Sequence, residues 1–360
     1  MTRLRGLTWD HPRAIDPIVR TSADYEARTG TSVEWTARTL EQFEDVPLDE
    51  LADEFDILAI DHPHVGDAVR AGALVPFPPE VLESRAAAYV GPSLRSYVWE
   101  NRLLALPVDA ACMVSAARTG TDLPRTWPDV LSHLADLGPG RTLLAANPTH
   151  LWGTLLSMCE AVHLGDSPWW DDDGLAADTV SAALALLREV LALLPERSFD
   201  ANPIQVLDEL AGAGPARYTP LVFGYCTYAL DGRVAFSDAP VTAGRTGSLT
   251  GGVGLAVSAR SAHPQEAADF VLFATSPEVQ AGPYLAAGGQ PAAVRAWRDP
   301  LAGGFFSSTL STMQQSFVRR RVPSFQRVAS SALHDMIRNG ADDARIVVRL
   351  NDLWAGAYVG

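Results

Sequence analysis

The residues best suited to bind a ligand follow a mostly apolar segment, residues 55–60, that is short enough to be a buried strand. The segment ends abruptly in Asp61, His62 and His64, with Pro63 between the two histidines. Ligands of open α/β sheets bind at the carboxyl ends of the strands. A carboxylate at such a strand end accepts hydrogen bonds from hydroxyl or ammonium groups. The pattern therefore predicts a ligand site directly after this strand.

The two histidines also raise the question of a metal ion. His62 and His64 stand two positions apart, and a metal would need a third ligand such as His11 or Asp61. The alternative is that one histidine caps the following helix while the other lines the site. Asp61 is in turn either the N-cap of that helix or a ligand contact. We expect a site without metal and without cofactor.

The elements that position these residues alternate between strand and helix. Strands are predicted over residues 4–8, 32–37 and 55–60, and helices over 15–28 and 48–55. Such alternation implies parallel pairing and an α/β lobe. Trp9, Asp10 and His11 then follow the first strand, as Asp61 follows the third.

Later segments repeat both kinds of element. Strands are predicted over 102–109, 141–146, 221–225 and 253–257, and helices after Thr126, after 147–152 and over 175–194. Thr126 is the expected N-cap of its helix, with Pro128 in the first turn. The tail from Leu310 reads as largely helical and carries an arginine run at 319–321.

Composition narrows the class of protein. A chain of 360 residues with 47% hydrophobic and 20% charged residues has the composition of a typical globular protein, and its length favours two domains. The net charge of -15 argues against nucleic acid as a partner. The three cysteines form no metal or redox motif, and the chain has no GxSxG, P-loop or HExxH motif that would indicate an enzyme.

The first ten residues lack the long apolar stretch of a signal peptide, and no apolar run is long enough to span a bilayer. The chain is therefore expected to be cytoplasmic, a mature form, or read from a start that omits an export signal.

Several segments, taken in order, resemble the extracellular solute-binding proteins of ABC transporters, the group that includes maltose-binding protein. No single segment is specific, but their order and spacing are. They comprise Trp9 with residues 29–34, then 55–60, Gly66, 71–76, 104–109, 124–131, 251–258, 263–268 and 289–291.

The resemblance implies a two-lobed α/β fold of the periplasmic-binding-protein (Venus-flytrap) type, each lobe a mainly parallel sheet flanked by helices. Residues 1–106 and 248–302 would form the first lobe, and residues 107–247 and 303–360 the second. A small polar solute, a sugar or a small organic anion, would bind in the cleft and be enclosed by hinge closure. The partners would be ABC permease subunits, the location extracytoplasmic, and the oligomeric state monomeric. An intracellular sensor of the same fold is the alternative, and an enzyme using the cleft is a further one.

By position, the resemblance assigns thirteen residues to ligand binding: Trp9, Asp10, His11, Asp61, His62, His64, Asp109, Trp152, Tyr225, Thr227, Gly251, Gly252 and Arg320. Aromatic faces, carboxylates and glycine amides suit a small polar ligand.

Several of these residues have a structural alternative. Trp9 and Trp152 are either ligand contacts or core aromatics, and Asp109 either contacts ligand or only pairs with an arginine. The two glycines are otherwise a structural turn. The arginine run is either a solvated helix face or supplies Arg320 to pair with an anionic ligand.

Overall fold

The computed structural model describes residues 2–39, 48–299 and 302–358. Its contacts divide the chain into two compact units. The first unit comprises Met1–Ala111, Tyr225–Thr227 and Thr250–Ser307, and the second comprises Cys112–Gly224, Tyr228–Leu249 and Ser308–Gly360. The sequence places the divisions after residues 106, 247 and 302, whereas the units divide after 111, 249 and 307. The sequence did not predict that residues 225–227 belong to the first unit.

The strands are numbered in chain order. They are β1 Arg3–Trp9, β2 Ser32–Arg38, β3 Ile57–Asp61, β4 Leu74–Val75, β5 Val98–Trp99, β6 Arg102–Leu103, β7 Leu106–Pro107, β8 Ala111–Arg118, β9 Tyr218–Phe223, β10 Val234–Ser237, β11 Val241–Thr242, β12 Arg245–Thr246, β13 Thr250–Gly251 and β14 Val253–Ser258.

The α-helices are numbered in the same way. They are α1 Pro12–Thr29, α2 Leu48–Glu54, α3 Val65–Arg70, α4 Pro79–Arg85, α5 Trp127–Leu137, α6 Pro148–Val162, α7 Ala177–Leu191, α8 Pro203–Ala211, α9 Pro264–Ala274, α10 Pro277–Val279, α11 Val294–Trp297, α12 Gly304–Gln315, α13 Pro323–Arg338 and α14 Asp343–Tyr358. Short 3-10 turns cover His62–His64, Arg95–Tyr97, Glu196–Asp200 and Cys226–Tyr228, and a π turn covers Gln280–Tyr284.

The first unit is built on one sheet with strand order β2-β1-β3-β14-β4, and β7 also pairs with β14. Strand β1 is parallel to β2 and β3, whereas β14 is antiparallel to β3, β4 and β7. Among the strands described for this sheet, β14 alone opposes the direction that the others share. The residues of β3 before Asp61 are all buried, as their continuous apolar pattern predicts.

Helix α1 shows how the local sequence sets an element's ends. His11 is its N-cap, since Nδ1 of His11 accepts a hydrogen bond from the Arg13 amide at 3.1 Å. Pro12 occupies the first turn, where its missing N–H costs no helical bond. The helix ends at Gly30, which has φ +76° and which the sequence predicts as the stop.

The second unit differs from the expected parallel sheet. Its strand β8 pairs antiparallel with both β9 and β10. Residues 141–146, predicted as a strand, contribute a single parallel bridge between Thr142 and Tyr218. An apolar run indicates burial, but it does not indicate whether a neighbouring strand is present to pair with it.

Helices cover the core of the second unit: α6 packs against α7 and α13, and α14 packs against α7 and α13. Thr126 is the N-cap of α5, as predicted, because its Oγ1 accepts a hydrogen bond from the Asp129 amide at 3.3 Å. Residues 319–321 lie between α12 and α13, outside any helix, so the expectation of a helical arginine face was wrong.

None of the helices in the described ranges combines the length and the apolar composition that crossing a membrane requires.

Candidate functional site

One edge of the sheet in the first unit collects most of the residues that the sequence assigns to a site. Strands β1 and β3 are parallel neighbours, so their last residues, Trp9 and Asp61, end at the same edge. The antiparallel strand β14 starts there, with Val253 opposite Asp61. On its other side, the Val253 amide donates to the Asp109 carbonyl at 3.1 Å. Asp61, Val253 and Asp109 therefore follow one another across the sheet edge.

Gly252 makes this close arrangement possible. It has φ +119°, and a Cβ at this position would lie 2.4 Å from the Asp109 carbonyl oxygen. The hydroxyl of Tyr97 donates to the Gly252 carbonyl at 3.0 Å and to the Ile60 carbonyl at 3.4 Å. Gly252 thus has the structural role that was the alternative to ligand contact. Whether Gly251 or Gly252 contacts a ligand stays a prediction.

The Asp-His-Pro-His segment forms a 3-10 turn over His62–His64. Asp61 precedes this turn, and in the described structure its side chain makes no capping hydrogen bond. Its Oδ1 lies 3.2 Å from Nδ1 of His62, which is buried and meets the Tyr97 ring edge-on at 6.4 Å. The Asp61 side chain is 24% exposed, although its Oδ1 is buried.

Asp109 takes part in a buried ion pair with Arg13, a residue that the sequence patterns did not single out. Nε of Arg13 is 3.6 Å from Oδ2 of Asp109, and the two side chains are 8% and 0% exposed. Burial raises the pKa of Asp109 to about 6; the Arg13 guanidinium opposes this shift and the Asp61 carboxylate adds to it. Burial acts to lower the pKa of Arg13, but Asp109 makes the net shift upward. Asp109 therefore has the arginine partner that was the alternative to ligand contact.

Arg13 also contacts the segment that returns to the first unit. Its guanidinium carbon lies 3.9 Å from the centroid of the half-buried Tyr225 ring. Its terminal Nη1 donates to Oε1 of Gln290 at 3.3 Å, and the Cys226 amide donates to the same oxygen at 2.8 Å. Gln290 lay in a segment quoted for the resemblance but was not assigned to the site. The sequence patterns did not identify Arg13; the signal that could have identified it is a cation in the first turn of a helix, where the helix dipole disfavours positive charge.

Three predicted residues at the end of β1 have different environments. Trp9 is 5% exposed, with the Arg13 guanidinium 5.8 Å from its ring centroid. Asp10 is exposed, and its amide donates to the Arg38 carbonyl. His11 caps α1, and its ring lies 6.3 Å from that of Tyr225. Trp9 thus lies in the core, as the alternative expected, and ligand contact by any of the three stays a prediction.

His64 and Thr227 are both half-buried. Within the described part of the chain, the buried Oγ1 of Thr227 has no hydrogen-bond partner. No group of three or more His, Cys, Asp or Glu side chains in the described ranges is placed to hold a metal ion.

Trp152 lies in the core of the second unit. It is 1% exposed and meets Trp170 and Phe325 edge-on at 6.0 and 5.8 Å. This is the packing alternative, and Trp152 is therefore left out of the site proposed below. Helix α6 is apolar on nearly every face, so its sequence did not indicate which side chains pack into the core.

Arg320, in the second unit, has a protein carboxylate as its partner. Its guanidinium forms an ion pair with Asp172 and donates to the Trp170 carbonyl at 3.4 Å. It also lies 5.2 Å from the centroid of a Trp354 ring. The anion-binding role expected for Arg320 stays a prediction, and Asp172 already supplies the negative charge that such a ligand would bring.

Solved structures of solute-binding proteins have the same fold. Maltose-bound MalE3 of T. maritima matches with a TM-score of 0.83 at 15% identity, over 99% of this chain and 100% of that one. UgpB from Mycobacterium tuberculosis, in complex with glycerophosphocholine, matches with a TM-score of 0.81 at 15% identity, over 99% and 98%. The maltotriose binding protein of Thermus thermophilus, bound with maltotriose, matches with a TM-score of 0.78 at 18% identity, over 100% of both chains.

At these identities the likeness defines the fold, which is the two-lobed α/β fold of periplasmic binding proteins, and it confirms the predicted fold class. The model of the family described as bacterial extracellular solute-binding protein matches residues 21–295. Because this match spans more than half of the chain, the protein belongs to that family. Among curated proteins, no sequence matches this chain.

Proposed function

We propose that this protein is the substrate-binding component of an ABC-type importer and captures a small polar solute. The observation that carries the proposal is the Asp61 carboxylate, which ends β3 at one edge of the sheet and whose side chain is 24% exposed. A partly exposed carboxylate and the half-buried ring of Tyr225 suit the hydroxyl groups and apolar faces of a sugar. Hinge closure around the solute, implied by the resemblance, is part of the proposal.

The charges of the site favour a sugar over a small organic anion. Arg13 already pairs with Asp109, and Arg320 already pairs with Asp172. An anion would have to displace a protein carboxylate at either guanidinium, and that exchange brings no net gain in charge pairing. A neutral, hydroxylated solute needs no such exchange. Maltose and glycerophosphocholine, which the similar structures contain, are the natural first probes.

The family description also supports a role without catalysis, a location outside the cytoplasm and a permease as partner. These remain parts of the proposal. Recovery of the native chain in the cytosolic fraction would instead favour the intracellular sensor.

The first test is a thermal-shift screen against sugars, polyols, carboxylates, sulfonates, amines and divalent metals. A solute that binds only the native state at 100 times its Kd stabilises it by about 2.7 kcal/mol, which raises Tm. We expect a shift with sugars. No shift with any class would contradict solute capture.

Calorimetry with variants then tests the location of the site. Asp61→Asn should weaken binding of the sugar found by the screen, because an amide offers one acceptor oxygen where the carboxylate offers two. Asp16→Asn, an exposed aspartate on α1, is the matched control and should bind as the wild type does. Equal affinity for all three proteins would show that Asp61 does not contact the solute.

A further inference from the structure

The segment Tyr225–Thr227 belongs to the first unit, although the residues on both sides of it belong to the second unit. The Cys226 amide donates to Oε1 of Gln290 at 2.8 Å, and the Cys226 thiol donates to the Gly289 carbonyl at 3.8 Å. The Tyr225 ring is covered by the Arg13 guanidinium at 3.9 Å. Arg13 thus contacts the Tyr225 ring and Gln290 contacts the next residue along the chain, while the His11 ring lies 6.3 Å from that of Tyr225.

Gln290 is itself fixed at both ends of its amide. Its Nε2 donates to the Ala110 carbonyl at 2.8 Å, while its Oε1 accepts from both Cys226 and Arg13. The side chain is fully buried, so these bonds are not exchanged with water. Gln290 thus links Arg13 directly to the backbone of the segment.

Arg13 occupies a place that is unfavourable for a cation on two counts. It lies in the first turn of α1, where the dipole disfavours positive charge, and its side chain is 8% exposed. Asp109 offsets this cost, and the guanidinium carbon lies 3.9 Å from the centroid of the Tyr225 ring. A guanidinium is planar and suits contact with an aromatic face better than a lysine ammonium does.

We propose that Arg13 is a positioning residue of the binding site: clamped by Asp109 and Gln290, it holds the Tyr225 ring where the solute binds. Arg13 acts on the solute through Tyr225 and not by direct contact. The proposal rests on the proposed function, since Tyr225 is one of the expected solute contacts.

Hydrogen–deuterium exchange of the Cys226 amide tests the clamp without any ligand. Arg13→Lys keeps the charge but loses the guanidinium that contacts both Tyr225 and Gln290, and we expect Cys226 to exchange about tenfold faster. The control is Arg20→Lys on the same helix, where Arg20 is 65% exposed and pairs with Asp24; it should leave the exchange unchanged. Equal exchange in Arg13→Lys and wild type would overturn the proposal.

A second variant covers the case in which Arg13→Lys fails to fold. Asp109→Asn is isosteric and removes the charge that holds Arg13, so Cys226 should exchange fast at every pH. In the wild type, exchange corrected for its intrinsic rate should accelerate as the pH falls through about 6, where Asp109 becomes neutral. The titratable groups that face Asp109 are Arg13, Asp61, Tyr97, Cys226 and Tyr284. A slow, pH-independent exchange in Asp109→Asn would overturn the clamp.

Affinity for maltose and for glycerophosphocholine separates positioning from a merely structural role. Whichever probe the wild type binds should bind about tenfold more weakly to Arg13→Lys and equally well to Arg20→Lys. Faster exchange with unchanged affinity would reduce Arg13 to a structural residue and overturn the proposal. If the wild type binds neither probe, that result counts against the proposed function, and the exchange experiment alone decides the role of Arg13.

Discussion

At the scale of single residues, Asp109 has an environment very different from that of a carboxylate in water. It is fully buried, and within the described ranges neither carboxylate oxygen accepts a hydrogen bond. The Arg13 ion pair at 3.6 Å compensates for this only in part, because desolvation still leaves the pKa raised to about 6.

The raised pKa makes stability depend on pH. The folded state holds the Asp109 proton more tightly than the unfolded chain does, so this contribution is fully present below pH 3.8 and is lost as the pH rises through 6. Asp109→Asn does not titrate. Its free energy of unfolding, relative to the wild type, should therefore rise by up to about 3 kcal/mol from pH 4 to pH 7. Urea unfolding of both proteins at several pH values measures this, and a pH-independent difference would contradict the assignment.

Gly252 gives a second prediction at this scale. In Gly252→Ala, the alanine has to adopt a φ of +119°, which is strained for a residue with a side chain, and its Cβ lies 2.4 Å from the Asp109 carbonyl oxygen. The substitution should therefore destabilise the first unit by about 3 kcal/mol. Gly72→Ala is the control, because Gly72 has φ +59° with open space around it and should cost about 1 kcal/mol. The midpoints of urea unfolding compare the stabilities of the two variants. Equal losses of stability would mean that the backbone around Asp109 and residue 252 relaxes to accommodate the added Cβ.

At the scale of elements, one residue at the start of α1, His11, has a structural role and is also a predicted ligand contact. The His11 side chain caps the helix, and the sequence assigned the same residue to the ligand. Two substitutions separate these roles, since asparagine is a strong N-cap and alanine is not.

We expect His11→Ala to lower stability by about 1 kcal/mol and His11→Asn to retain it. If His11 also contacts the solute, both variants should lose affinity equally. Thermal unfolding measures the cap, and calorimetry with the sugar from the screen measures the contact. A His11→Ala protein as stable as the wild type would show that the Nδ1 bond contributes nothing to the helix.

At the scale of the whole molecule, the two units have separate cores, and Trp152 lies in the second. Trp152→Phe removes buried indole atoms and should destabilise that unit by about 1 to 3 kcal/mol. It should leave solute affinity unchanged, because the residue packs against Trp170 and Phe325. A large loss of affinity at unchanged stability, measured by calorimetry and thermal unfolding, would return Trp152 to the site.

Local sequence patterns determined much of this molecule. The sequence predicted the apolar run of β3, the glycine that ends α1 and the Thr126 cap. It could do so because hydrophobic periodicity and helix capping depend on residues only a few positions apart. The order of short segments along the chain sufficed for the fold class. The same patterns located Asp61 at a strand end, where ligands of such folds bind.

The tertiary structure alone decided how distant residues combine. Arg13 and Gln290 are 277 positions apart, and the return of residues 225–227 to the first unit adds the Cys226 amide to the same Gln290 oxygen. The pairing direction of β8 and the packing of Trp152 were also decided there, since an apolar run reports burial and not the identity of its neighbours. Local sequence thus set many of the elements and their ends, whereas long-range contacts assembled the Arg13–Asp109 ion pair and placed Arg13 beside the Tyr225 ring in the candidate site.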